Sequence, residues 1–148
     1  MNAERYTLDA NILFYALSQD AGLKHEVACQ LWKSAVHHDC VLTLQAVGET
    51  YNAFSRKAGG RMEDAQQALS DLITLVPVVC ANEDDLRIAM QLRKERPVQF
   101  WDAMLWTTAR RNGCRVILTE DFQDHVEWDG VRYVNPFKVA PTELWQYL

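Results

Sequence analysis

Arg115-Val116-Ile117-Leu118-Thr119-Glu120-Asp121 is the stretch on which the fold turns. Three consecutive branched apolar residues lie between a glycine at 113 and acids at 120 and 121, so they read as a strand buried on both faces. Just upstream, residues 100–112 carry helical periodicity and stop at Gly113, where a left-handed cap fits. Farther out the alternation repeats. Tyr6-Thr7-Leu8, Val41-Leu42-Thr43, Leu75-Val76-Pro77-Val78-Val79 and Val131-Arg132-Tyr133-Val134 read as strands, and Pro77 marks its own as short or at an edge. Helices are expected at about 12–18, 24–37, 45–58, 62–73 and 83–95, with Gly59-Gly60 as one break and Pro97 as another. Pro141-Thr142-Glu143 opens a terminal helical turn whose Leu144, Trp145, Tyr147 and Leu148 dock on the domain. Strands separated by helices specify an α/β layer fold with a mostly parallel sheet, in which ligands bind beyond the carboxyl ends of the strands.

The 148 residues suit one domain, since no linker, repeat or low-complexity stretch divides them. With 49% apolar residues the chain can bury a sizeable core. No apolar run approaches the roughly 18–20 residues that cross a bilayer, and Met1–Tyr6 lacks the features of a secretory signal. The cytoplasm is the expected location. Cys29, Cys40, Cys80 and Cys114 are scattered without a CxxC pair, so four reduced, buried thiols are expected in place of a zinc site. The net charge of −5 runs against phosphate binding, which leans on Lys and Arg. Carboxylates gathered around cations would add to that charge without repelling a substrate. The basic groups Arg56-Lys57 with Arg61, Arg93-Lys94 with Arg96, and Arg110-Arg111 with Arg115 read as solvated helix faces. The five tryptophans are assigned mainly to core packing.

Acidic residues stand where this fold would place chemistry. Asp9 directly follows the first strand and Asp121 follows the strand at 116–118. In a parallel sheet both would lie on one edge, with neighbouring strands about 4.8 Å apart; a turn or helix-cap role is the alternative for each. On a helical wheel Asp102 falls between Leu105 and Trp106, in line with Ala109, so it is at least partly buried. A carboxylate there needs a partner, which could be a cation, helix-start N–H groups or a metal. Glu49 lies opposite the apolar stripe Leu44, Val47, Tyr51, Phe54 and Ala58, in line with Gln45, Asn52 and Arg56. Periodicity leaves it on either a solvated face or a face turned into a cleft.

Four motifs in order, Leu8-Asp9-Ala10-Asn11-Ile12-Leu13, Leu44-Gln45-Ala46-Val47-Gly48-Glu49, Phe100-Trp101-Asp102-Ala103-Met104-Leu105 and Leu118-Thr119-Glu120-Asp121-Phe122, resemble the PIN domain. Within it they look most like the VapC-type toxins of bacterial toxin–antitoxin pairs, and the resemblance covers nearly the whole chain. It implies a three-layer α/β/α fold with a central mostly parallel sheet, an acidic pocket for Mg²⁺ or Mn²⁺, and endonuclease activity on RNA. By position Asp9, Glu49, Asp102 and Asp121 match the family's acidic quartet. Asn11 and Thr119 match polar residues that line the pocket, and Asp124 falls where some members carry a further acid. Glu120 is expected to face solvent. Gly48 departs from good helix chemistry at about 1 kcal/mol against Ala, for which close packing is one reason. The resemblance also implies a small antitoxin partner and a homodimer.

The roles that follow are Asp9 and Asp102 as main metal ligands, Asp121 as a ligand or holder of a water, and Glu49 as orienter of water or part of a second site. Asn11 and Thr119 would orient carboxylates or touch phosphate. One rival is a PIN-like module without catalysis, acting through RNA or protein contacts. A phospho-acceptor domain fits poorly: a dehalogenase pattern wants an acid where Asn11 stands, and a receiver wants a Lys where none occurs between Lys94 and Lys138.

Overall fold

The computed structural model describes residues 3–57, 59, 61–122 and 126–148. In chain order the elements are β1 (Tyr6–Leu8), α1 (Ala10–Leu17), α2 (Leu23–His37), β2 (Leu42–Thr43), α3 (Leu44–Ser55), α4 (Met62–Leu75), β3 (Val78–Val79), α5 (Glu83–Glu95), α6 (Phe100–Arg111), β4 (Val116–Leu118), β5 (Glu127–Trp128), β6 (Val131–Val134) and α7 (Pro141–Tyr147). The main sheet runs β1-β4-β6-β5; β1, β4 and β6 are parallel and β5 is antiparallel. The parallel pair β2-β3 continues it past β1: Tyr6 N–H donates to Asp39 O and Val41 N–H to Tyr6 O, both at 3.1 Å.

The sheet is covered on both sides because its strands alternate what they present. Tyr6, Leu8, Val116, Leu118 and Val134 pack with Ile12 and Leu13 of α1, Leu31 of α2, Leu69 and Leu72 of α4, and Leu144 of α7. Ile117, Val131 and Tyr133 point the other way, onto Ala89 and Leu92 of α5 and Ala103, Leu105, Trp106 and Ala109 of α6. The result is the expected three-layer α/β/α arrangement. Gly113 ends α6 at φ 81°, the left-handed conformation its position required.

Four expectations need correction. Residues 75–79 are not a continuous strand: α4 continues through Leu75, and only Val78–Val79 pairs, as an edge strand. The hairpin strand β5 was not expected from the sequence, although Asp129-Gly130 was its signal. Both residues take positive φ (46° and 79°), which a two-residue turn matched to strand twist demands. Of the cysteines, all free, Cys40 and Cys114 are buried but Cys80 is exposed. Finally, Arg111 is no ordinary solvated residue. It holds the fully buried Asp85 carboxylate at 2.9–3.1 Å and donates to Cys80 O at 2.6 Å, fastening α5 to α6. No helix among the described residues is long and apolar enough to cross a membrane.

Candidate active site

The pairing register brings the ends of β1 and β4 together. Leu8 lies opposite Leu118, and Asp9 N–H donates to Leu118 O at 3.0 Å, so the chain leaves β1 still tied to its neighbour. Asp9 is thereby the N-cap of α1, and its Oδ1 accepts from Ala10 N–H at 2.7 Å. Its Oδ2 accepts from the Thr119 hydroxyl at 2.8 Å. The Asn11 amide donates to Asp121 Oδ2 at 2.9 Å and to Thr119 Oγ1 at 3.1 Å, while Asp121 N–H reaches Thr119 Oγ1 at 3.2 Å. Thr119 is thus the hub between two strand-end acids, and Asn11 braces the second of them.

Two helices bring the remaining acids. Asp102 sits in the first turn of α6, half-buried, and Glu49 lies on the exposed face of α3. Gln45, one turn before Glu49, donates to Glu49 Oε1 at 2.9 Å and to Trp101 O at 3.1 Å. It ties α3 to the start of α6. Sequence reasoning put Gln45 on the same face as Glu49 but gave it no role; the i,i+4 spacing was the available signal. The face of α3 opposite its apolar stripe thus meets the start of α6 through Gln45, with Glu49 itself exposed beside it.

Electrostatics show the four acids as one group. Burial pushes the Asp9 carboxyl up; hydrogen bonds from Thr119 and Ala10 oppose this, the charges of Asp102 and Glu49 reinforce it, and the value stands at about 6. Asp102 is raised too, by burial first and then by Asp121 and Glu49. Among the described residues no cation or hydrogen-bond donor meets the Asp102 carboxylate.

Glu120 does not face solvent. It accepts from the Tyr15 hydroxyl and from Lys24 Nζ, the latter at 2.8 Å, which turns it back onto α1 and α2. Gly48 is exposed, and a Cβ built on it would meet nothing within 4 Å, so close packing is not why it is glycine. Asp124 lies outside the described residues.

The donor set consists of carboxylate, amide and hydroxyl oxygens, which suits a hard divalent cation. Among the described residues no three acids close on one point as a ready-made cage. Mg²⁺ does not require such a cage, because it keeps several waters and takes one or two carboxylates.

The PIN-domain model matches residues 6–125, most of the chain and every element named above up to the β4 end. The chain belongs to the PIN-domain family. No curated protein matches it significantly in sequence. Solved structures share the PIN fold at low identity. The Mycobacterium tuberculosis toxin VapC20, described as cleaving the sarcin–ricin loop, is 24% identical with a TM-score of 0.62, over 78% of this chain and 89% of its own. A toxin–antitoxin complex from Klebsiella pneumoniae is 17% identical with a TM-score of 0.66, over 90% and 99%. VapBC2 from Rickettsia felis, bound to promoter DNA, is 14% identical with a TM-score of 0.63, over 87% and 96%.

Proposed function

We propose that this PIN domain is a metal-dependent endoribonuclease, the toxin of a type II toxin–antitoxin pair, which hydrolyses RNA phosphodiester bonds at the cluster of Asp9, Glu49, Asp102 and Asp121. The observation that carries the proposal is Asp102, a half-buried carboxylate set among like charges with neither cation nor donor beside it among the described residues. A purely structural carboxylate in that setting would be expected to have a partner. Asp9, buried and raised to about 6, makes the same argument more weakly because it has two donors.

When bound, Mg²⁺ or Mn²⁺ would neutralise the cluster, draw in the phosphate and make a water more acidic. Asp9 and Asp102 would hold the cation, with Asp121 beside them. Thr119 and Asn11 keep Asp9 and Asp121 in register through the hydrogen bonds described above. Glu49, exposed and steered by Gln45, can take a proton from a water at the open side of the cleft. The net charge of −5 is compatible with RNA binding on this reading, because part of the negative charge sits where cations would. An antitoxin partner is supported by the similar folds found in toxin–antitoxin complexes, and a homodimer is carried over only from the resemblance to VapC-type toxins.

The test uses the purified chain, freed of any partner, with total cellular RNA, with and without Mg²⁺ or Mn²⁺. Discrete fragments that need metal and vanish in Asp102→Asn support the nuclease and its site. Cleavage that survives the substitution removes the site assignment. A folded protein that binds RNA but cleaves nothing is the outcome that favours a catalytically inactive binding module.

A further inference from the structure

The tryptophans do not all serve the core. Trp106 is buried, Trp32 and Trp128 pack against the two sides of the sheet, and Trp145 is 40% exposed. Trp101 is the most exposed of the five, at 60%. Leaving most of an indole in water forgoes one of the largest burials a side chain can offer. Core packing therefore does not explain why a tryptophan opens the first turn of α6.

Its surroundings do suggest a use. Trp101 immediately precedes Asp102 in the chain. Its carbonyl accepts from Gln45 Nε2 at 3.1 Å, and the same nitrogen donates to Glu49 Oε1 at 2.9 Å. The backbone of Trp101 is thus joined to both helices that bring acids to the site. Phe100, packed on the α6-side core, meets the indole edge-on, with centroids 4.9 Å apart and planes at 66°. Such a contact restrains the ring and leaves at least one of its faces uncovered.

The site lacks the usual grip on nucleic acid. The side chains that form it are acids with neutral partners, and the whole chain carries a net charge of −5. Phosphate contacts through Lys and Arg are a poor source of affinity there. A base stacked on an aromatic face needs no charge, and unpaired bases of RNA are commonly bound in this way.

We infer that Trp101 is a substrate-binding residue, an exposed platform on which one unpaired base of single-stranded RNA stacks beside the acids of the site. The inference rests on the ribonuclease reading proposed above. A second copy of the chain is the competing occupant. RNA is favoured because the ring is fixed to the residues that would do the chemistry, so whatever covers it also lies next to them.

Anisotropy of a labelled oligouridylate, read within seconds of mixing in Mg²⁺, tests this on the wild type, Trp101→Ala and Trp101→Phe. A second probe of the same length carries abasic riboses, which keep the phosphates and remove the bases. Trp101→Ala should bind oligouridylate about 10-fold more weakly, the loss of one stacked base, and Trp101→Phe should recover part of that. On the abasic probe the three proteins should be alike. The salt dependence of binding should keep its slope, because no phosphate contact is removed. The melting temperature should not move, because the ring is largely exposed. Affinity for oligouridylate within about 2-fold of wild type, or an equal loss on both probes, would overturn the inference. So would a Trp101→Ala chain that sediments as a smaller species than the wild type, which would assign the ring to an interface between copies. A wild type that cleaves cellular RNA without binding oligouridylate would overturn the platform alone, and one that does neither would overturn both readings.

Discussion

Two carboxylates on the paired helices α5 and α6 meet burial in opposite ways. Asp85 is fully buried and satisfied. It closes a capping box with Asn82, accepts from Thr107 at 3.3 Å and is clasped by Arg111. Burial alone would raise its pKa, but Arg111, the Asn82 N–H and Thr107 outweigh burial and the value is lowered. Asp102, at the other end of α6, is half-buried among other acids with no such partner among the described residues, and its pKa is raised by burial first and by those acids. One carboxylate fastens two helices. The other is kept in a costly setting by the rest of the fold, which is how binding and catalytic groups are usually held.

The largest expected difference between the two is in activity. Asp102→Asn should cut metal-dependent RNA cleavage by more than the roughly 10–100-fold that outer partners of metal ligands cost, while leaving the melting temperature in chelator unchanged or higher. Fragment yield and a thermal melt on the same preparation check this, and a lowered melting temperature would place Asp102 with Asp85 as a structural acid.

The next effect is on pH. Folding raises Asp9 from an ordinary value of 3.8 to about 6, so its neutral form is the one that favours the folded state. That contribution is complete below about pH 4 and is lost as pH rises towards about 6, for a total near 3 kcal/mol. In chelator, Asp9→Asn should therefore gain stability relative to wild type between pH 4 and 7. Denaturant melts across that range would show it; a constant difference would mean that Asp9 has an ordinary pKa. Asp85 and Glu120, with lowered values, act in the opposite sense as pH falls, which is why the comparison is between variants.

Asp85→Ala should come third, with a loss of about 2 kcal/mol from hydrogen bonds to a charged group, and a melting temperature lower by about 4–8 °C for a chain of this size. Arg111 is partly exposed, so water recovers some of what it loses. Cleavage measured well below the melting temperature should persist, which separates this acid from Asp102. The smallest effect belongs to Gly48→Ala. The new methyl meets no atom within 4 Å, so helix propensity alone should stabilise the chain by about 1 kcal/mol, read as a small rise in melting temperature.

Much of the architecture was legible because it rests on local patterns. Short apolar runs such as Val116-Ile117-Leu118, separated by helical periodicity, demanded a covered parallel sheet. An acid at or just after the end of such a run emerges at the strand's carboxyl end, which puts Asp9 and Asp121 on one edge of a parallel sheet. The wheel that put Asp102 in the apolar arc of its helix was equally local.

Which group answers which charge was decided only by tertiary contacts. Glu120 and Asp121 are neighbours in sequence, yet one turns back to Lys24 and Tyr15 and the other to Asn11. Arg110 and Arg111 are adjacent, but only Arg111 reaches Asp85; Arg110 lies over Trp106. Periodicity left Glu49 on a solvated or a cleft-facing side because it describes one helix at a time; Glu49 is exposed, and only the Gln45 contact to Trp101 O shows how close the start of α6 lies. The sequence alone determined where the strands end and which acids stand there. The tertiary structure decided which of those acids is neutralised and which stands among like charges, because most of the partners lie far away in sequence and charge acts through space.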